Sequence, residues 1–151
     1  MAVRLAGFTL TLPRQQGERV AIPAPWKDSA RLAITESTLS GLTTHVLDTT
    51  LGKPAAGVAL RLKLNGTVLA SATTNADGRC DQPLVSGEAL QAGAYRLEFD
   101  VGAYYRGLGV VLPDPAFLET VAIEFGLADG AANYHVPLLV SPFGYSTYRG
   151  S

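Results

Sequence analysis

Cysteine is nearly absent from this sequence. Cys80 is the only one among 151 residues, so no intrachain disulfide can form. A lone thiol suits a reducing compartment, and a cytoplasmic location is the expectation. Charge is scarce too: Lys, Arg, Asp and Glu make up 17% of the chain, against roughly 25% in ordinary soluble domains. A chain this poor in charge has apolar surface that self-association would cover. The net charge of −1 gives no general pull toward nucleic acid or an anionic membrane. There is no apolar run of about 18 residues, so no membrane span is expected. The N-terminal stretch carries Arg4, but Gly7, Thr9, Thr11, Pro13 and Arg14 interrupt it, and it does not read as a signal peptide. Two histidines and one cysteine form no metal-ligand spacing, and no phosphate loop or dinucleotide fingerprint is present. Neither metal nor cofactor is expected.

What the chain does have is 47% apolar residues, enough for one domain with a true core. A domain of this size buries roughly 70% of its unfolded surface. From residue 57 onward the apolar residues alternate with period two. Val58, Leu60, Leu62 and Leu64 share one strand face, with Arg61, Lys63 and Asn65 on the other. Asn65-Gly66 predicts a tight hairpin, because both residues tolerate positive φ, and the return strand is expected over Thr67–Thr74. Asn75-Ala76-Asp77-Gly78 is a second turn signal. A short helix is expected near residues 86–91, with Ser86 as N-cap, Glu88 in its first turn and Gly93 as its stop. Tyr95, Leu97, Phe99 and Val101 mark another strand, and Val121, Ile123, Phe125 and Leu127 a further one. Many short strands with one brief helix predict an all-β sandwich.

One strand breaks the rule of a single dry face. Tyr134 to Val140 is apolar on both sides apart from His135. With Val136, Leu138 and Val140 toward the core, His135, Pro137 and Leu139 face a second, mostly dry surface, read here as a subunit interface. Pro137 has no N–H and fits where the strand ladder is interrupted. Residues 1–40 are harder to read. Val3 and Leu5, then Phe8, Leu10 and Leu12, predict a strand that changes parity at a bulge near Gly7. Ile22-Pro23-Ala24-Pro25-Trp26 reads as an extended connection. Residues 1–40 form an N-terminal extension of unassigned role, either a packed β arm or a mobile one.

Each histidine sits in a distinctive block. His45 lies in Thr43-Thr44-His45-Val46-Leu47-Asp48-Thr49, followed by Gly52-Lys53-Pro54-Ala55. His135 lies in Tyr134-His135-Val136-Pro137-Leu138-Leu139. Asp77-Gly78-Arg79-Cys80 comes between them, and the chain closes on Tyr148-Arg149-Gly150-Ser151. In this order and spacing, residues from about 42 to 151 resemble the transthyretin-like family, in its 5-hydroxyisourate hydrolase branch. The resemblance implies a β-sandwich of two four-stranded sheets with one short helix, and a hydrolase domain over residues 41–151. It also implies a homotetramer built as a dimer of dimers, with sites in the channels where dimers meet.

The activity so implied is hydrolysis of the cyclic amide of 5-hydroxyisourate to 2-oxo-4-hydroxy-4-carboxy-5-ureidoimidazoline, a step of urate degradation. Such a site needs a base for the attacking water and a cation where oxyanion charge develops. By resemblance the catalytic set is His45, Arg79, His135 and Ser151, and the substrate contacts are His45, Arg79 and Tyr148. His135 is given the general-base role, His45 positions water or substrate, and Arg79 steadies the oxyanion. The hydroxyl or terminal carboxylate of Ser151 orients a histidine or the water, and loss of the last four residues is expected to abolish activity. The two histidine roles are interchangeable at this stage.

Taken without the resemblance, His135 reads as a packing residue, Arg79 as a solvated turn cation and Ser151 as a frayed terminus. Lys53 and Arg106 read as surface charges. Cys80 beside Arg79 is not expected to act as a nucleophile. The alternative function is a non-catalytic transthyretin-like carrier of a small ligand. A structural or carbohydrate-binding sandwich module is a third reading, disfavoured because the one tryptophan lies outside the resembling region.

Overall fold

The computed structural model describes residues 3–5, 8–10 and 40–150. By internal contacts the chain divides into two units, residues 1–37 and 38–151. In the first, β1 (Val3–Leu5) and β2 (Phe8–Leu10) pair antiparallel, Val3 opposite Leu10 and Leu5 opposite Phe8. The expected single bulged strand is therefore two strands folded on each other. The predicted extended connection at 22–26 lies outside the described residues.

The second unit is a sandwich of two sheets. The first sheet runs β11 (Gly144–Thr147), β10 (Tyr134–Ser141), β3 (Gly41–Asp48) and β4 (Lys53–Pro54), with β7 (Val85–Ser86) pairing the start of β3. The β3–β10 pair is parallel and its other pairs are antiparallel. The second sheet runs β6 (Thr67–Thr73), β5 (Ala59–Leu64), β8 (Gly93–Phe99) and β9 (Val121–Leu127), antiparallel throughout. Leu42 and Val46 on β3, Leu60 and Leu62 on β5, Leu97 and Phe99 on β8, Val121 on β9 and Leu138 on β10 are each at most 1% exposed. They are the alternating residues of the sequence pattern, and removing them from water holds the two sheets face to face. The hairpin forms at Asn65-Gly66, where φ is 51° and 83°, and a register shift follows at Leu62/Lys63.

The outer face of the second sheet carries a charge network. Glu98 accepts hydrogen bonds from Lys63 (3.0 Å), Arg96 (2.9 Å) and Arg61 (3.3 Å), while Arg61 also grips Asp100 through both terminal nitrogens. Lys63, then Arg96, hold the Glu98 carboxyl down to about 2, against the modest opposing effect of burial.

Helix placement differs from expectation. Residues 87–89 form only a 3-10 turn, and Ser86 makes no side-chain capping bond. The α-helix, α1, spans Val101–Gly107, directly after β8, so Val101 starts a helix instead of ending a strand. Tyr104 donates to Asp48 Oδ2 (2.9 Å) and Tyr105 to the Val140 carbonyl (3.1 Å), fastening α1 against β3 and β10. Among the described residues no helix is long and apolar enough to cross a membrane.

Candidate active site

Strand β3 sets one face of the site. Its residues alternate strictly: Leu42, Thr44, Val46 and Asp48 are buried, while Thr43, His45 and Leu47 are half-buried on the opposite face. Parallel pairing with β10 then places His135 beside Thr43, Pro137 beside His45 and Leu139 beside Leu47. His45 and His135 thus stand on the same sheet face, on neighbouring strands. Leu47, Leu139 and Pro137 give that face the dry character expected of it.

Arg79 reaches the site from the other side of β3, and a tight turn delivers it. Asn75 Oδ1 accepts from the backbone N–H groups of Asp77 (3.0 Å) and Arg79 (3.2 Å), and the Asn75 N–H donates to the Arg79 carbonyl (2.8 Å). Gly78 closes the turn with φ 70°. A Cβ there would lie 2.4 Å from the Val46 carbonyl oxygen, so both the conformation and the close approach demand glycine. The Gly78 carbonyl accepts from the Val46 N–H at 2.8 Å, and Arg79 forms a bridge pair with His45. Thr43, Thr44, Arg79, Cys80 and Gln82 line a pocket of about 100 Å³ beside this pair.

The electrostatics agree with the geometry. Burial pushes the His45 imidazole down from its ordinary value, and the Arg79 cation pushes it further, while Asp77 works the other way through a backbone hydrogen bond and its charge. Burial also lowers His135, followed by Arg79 and then His45. Both rings are therefore neutral at neutral pH and able to accept a proton. Burial raises the Cys80 thiol, and Asp81 raises it further, which favours the protonated form over the nucleophilic thiolate.

The end of the chain comes to His135. Pairing between β11 and β10 stops at Leu138–Thr147, and contact resumes, in the same register, as a bridge between His135 and Gly150. Pro137 lies within that gap, where its missing N–H is not called upon. Instead its carbonyl accepts from the Thr147 hydroxyl at 2.7 Å. The Gly150 N–H donates to the His135 carbonyl at 2.8 Å.

Of the residues expected from sequence, His45, Arg79 and His135 are thus gathered on one face. Ser151 lies outside the described residues, next to Gly150. Tyr148 is exposed and lines a different cleft, of about 210 Å³, with Tyr134, Val136 and Arg149. Arg106 pairs with Glu119 (3.0 Å) and Lys53 is exposed on β4, both far in role from the site. Sequence reasoning passed over Thr43, whose hydroxyl lies 2.8 Å from His135 Nδ1. The signal was its position two residues before His45, on the same strand face. A wider depression of about 490 Å³ on the second sheet includes Lys63, Arg96 and Glu124, but both cations there are already bound to carboxylates.

Residues 42–150 match the model of the HIUase/Transthyretin family. A 5-hydroxyisourate hydrolase of Ralstonia nicotianae is 59% identical over 114 residues, which cover 73% of this chain and 97% of the relative. The solved structure of the Klebsiella pneumoniae 5-hydroxyisourate hydrolase is 38% identical with a TM-score of 0.64, covering 74% of this chain and 99% of that one. Transthyretin from Sparus aurata is 31% identical with a TM-score of 0.65, covering 73% and 96% respectively. On the family match and on these identities, the chain belongs to the HIUase/Transthyretin family.

Proposed function

We propose that this protein is a metal-free hydrolase that opens the six-membered ring of 5-hydroxyisourate, within residues 41–151. The single observation that carries the reading is the convergence of His45, Arg79 and His135 on one face of the β3–β10 pair. A neutral imidazole, His135 in our assignment, takes a proton from water as the water oxygen attacks the ring carbonyl carbon. Arg79 steadies the oxyanion with its planar donor fork. The tetrahedral adduct then collapses, the C–N bond breaks and the proton passes to the leaving nitrogen, giving 2-oxo-4-hydroxy-4-carboxy-5-ureidoimidazoline. His45 positions water or substrate. Ser151 orients one of these groups; Tyr148, which also borders the separate cleft, is set opposite Pro137 when the register is continued from Thr147 to Gly150, and contacts substrate.

The half-buried apolar residues around the two histidines support assembly as a homotetramer, a dimer of dimers, with the site closed by a partner subunit. The single cysteine supports a cytoplasmic setting. The rival reading as a non-catalytic carrier rests on the architecture shared with transthyretin. It is disfavoured by the higher identity to chains named as hydrolases, and by a base–cation pair that ligand retention does not need. The test is to generate 5-hydroxyisourate in place with urate oxidase and follow its ultraviolet decay with and without the protein. Accelerated decay with an optically active product is expected. Decay at the spontaneous rate, with ligand merely retained, would favour the carrier.

A further inference from the structure

The imidazole of His135 has a close neighbour on each side. On one side the Thr43 hydroxyl oxygen lies 2.8 Å from Nδ1, and strand register fixes the two residues directly opposite each other. On the other side Gly150 lies against the ring: a Cβ added there would sit 2.6 Å from His135 Cδ2, 3.1 Å from its Cβ and 3.2 Å from its Cγ. Only glycine leaves room for the ring in this place. Thr43 touches the Nδ1 edge and Gly150 the Cδ2 edge, so the Cε1–Nε2 tip is the part that neither covers. Nε2 has no protein hydrogen-bond partner among the described residues.

We propose that Thr43 is a positioning residue for His135, its hydroxyl oxygen accepting a hydrogen bond from Nδ1–H so that Nε2 is the bare nitrogen offered to water. A neutral imidazole carries one proton, and the partner of one nitrogen decides which nitrogen holds it. The Arg79 cation acts on this ring and opposes a second proton. Thr43 is β-branched and sits in a strand, so its χ1 is stiff and the hydroxyl stays aimed. Being half-buried, it can give its own proton to solvent. Gly150, having no Cβ, leaves the ring its room on the other side while its N–H holds the His135 carbonyl.

This inference rests on the hydrolase reading, but its test does not depend on turnover alone. The chain has only two histidines, so their ring ¹⁵N resonances can be assigned by replacing one of them. In the unaltered protein above the titration range, His135 is expected to carry its proton on Nδ1. In Thr43→Val, which keeps the shape of the side chain, the proton should redistribute toward Nε2. Turnover, measured by kcat, should fall roughly 10- to 100-fold with little change in KM, a loss of the size that follows removal of a partner orienting a metal-bound imidazole. Thr43→Ser should regain most of the loss, and an unchanged melting temperature in both variants excludes a merely structural effect. An Nε2–H tautomer in the unaltered protein, or the same tautomer and kcat in Thr43→Val, would overturn the proposal. An Nδ1–H tautomer that depends on Thr43, in a protein without turnover, would uphold the positioning and overturn the hydrolase reading instead.

Discussion

In the proposed mechanism His45 and His135 carry the proton chemistry, and their environment makes a directional prediction about pH. Burial and Arg79 lower both rings, so the base form survives to more acid pH than for a free histidine. The acid limb of kcat/KM is therefore expected below the ordinary value of about 6.5, with a plateau through neutrality. A limb at or above that value would mean that neither ring, in this environment, is the base. Replacing either histidine with Asn should cut turnover by roughly 100- to 10,000-fold while the assembly, followed by sedimentation, is unchanged. Near-normal turnover in both variants would remove the imidazoles from the mechanism. His45, Arg79 and His135 were singled out by the family resemblance of their sequence blocks, and strand register brings them to one face; taken by type alone, His135 read as a packing residue and Arg79 as a turn cation. Thr43 was not singled out, because a strand threonine looks alike whether it faces water or an imidazole, and only cross-strand register with β10 separates the two.

Elements explain why some of the fold could be read and some could not. The β5–β6 hairpin was legible because alternation and Asn65-Gly66 turn chemistry agree, and local and tertiary preferences then give one answer. Helix α1 was hidden because Val-Gly-Ala-Tyr-Tyr-Arg-Gly has two glycines and three residues of higher strand preference. Its apolar residues 101, 104 and 105 have helical spacing, but the strand alternation through Phe99 ran on into Val101. What makes it helical is tertiary: the hydroxyls of Tyr104 and Tyr105 find Asp48 and the Val140 carbonyl. The turn at residues 75–79 offers a controlled test of how an element positions a functional side chain. Gly57 and Gly78 both have positive φ, 82° and 70°, but a Cβ at Gly57 meets nothing within 4 Å while one at Gly78 meets the Val46 carbonyl. Gly57→Ala should therefore cost only the backbone penalty, about 1–2 kcal/mol in urea unfolding. Gly78→Ala should cost more, and should also lower turnover by displacing Arg79 from His45. Equal destabilisation in the two variants, with full activity in both, would show that the approach of the turn to β3 does not set the site.

At the scale of the whole molecule the question is which part of the chain suffices. The aligned 114 residues account for 97% of the Ralstonia relative but 73% of this chain, and the family match begins at residue 42. A relative that is almost wholly this one unit argues that the unit folds without what precedes it. The sandwich has its own core, and His45, Arg79 and His135 all stand within it. The place to cut is set by a backbone bond: the Ser40 carbonyl accepts from the Gly87 N–H at 2.8 Å, so removal must stop short of it. The contact boundary at Ser37 meets that condition. A chain lacking residues 1–37 is expected to keep both its oligomeric state, read by sedimentation, and its kcat/KM for 5-hydroxyisourate within about a factor of two. Lost turnover in a truncated protein that still unfolds cooperatively would mean that the N-terminal residues complete the site. Lost assembly with turnover retained would separate the extension's role from catalysis, and would overturn the argument that the apolar face around the two histidines is what draws the subunits together.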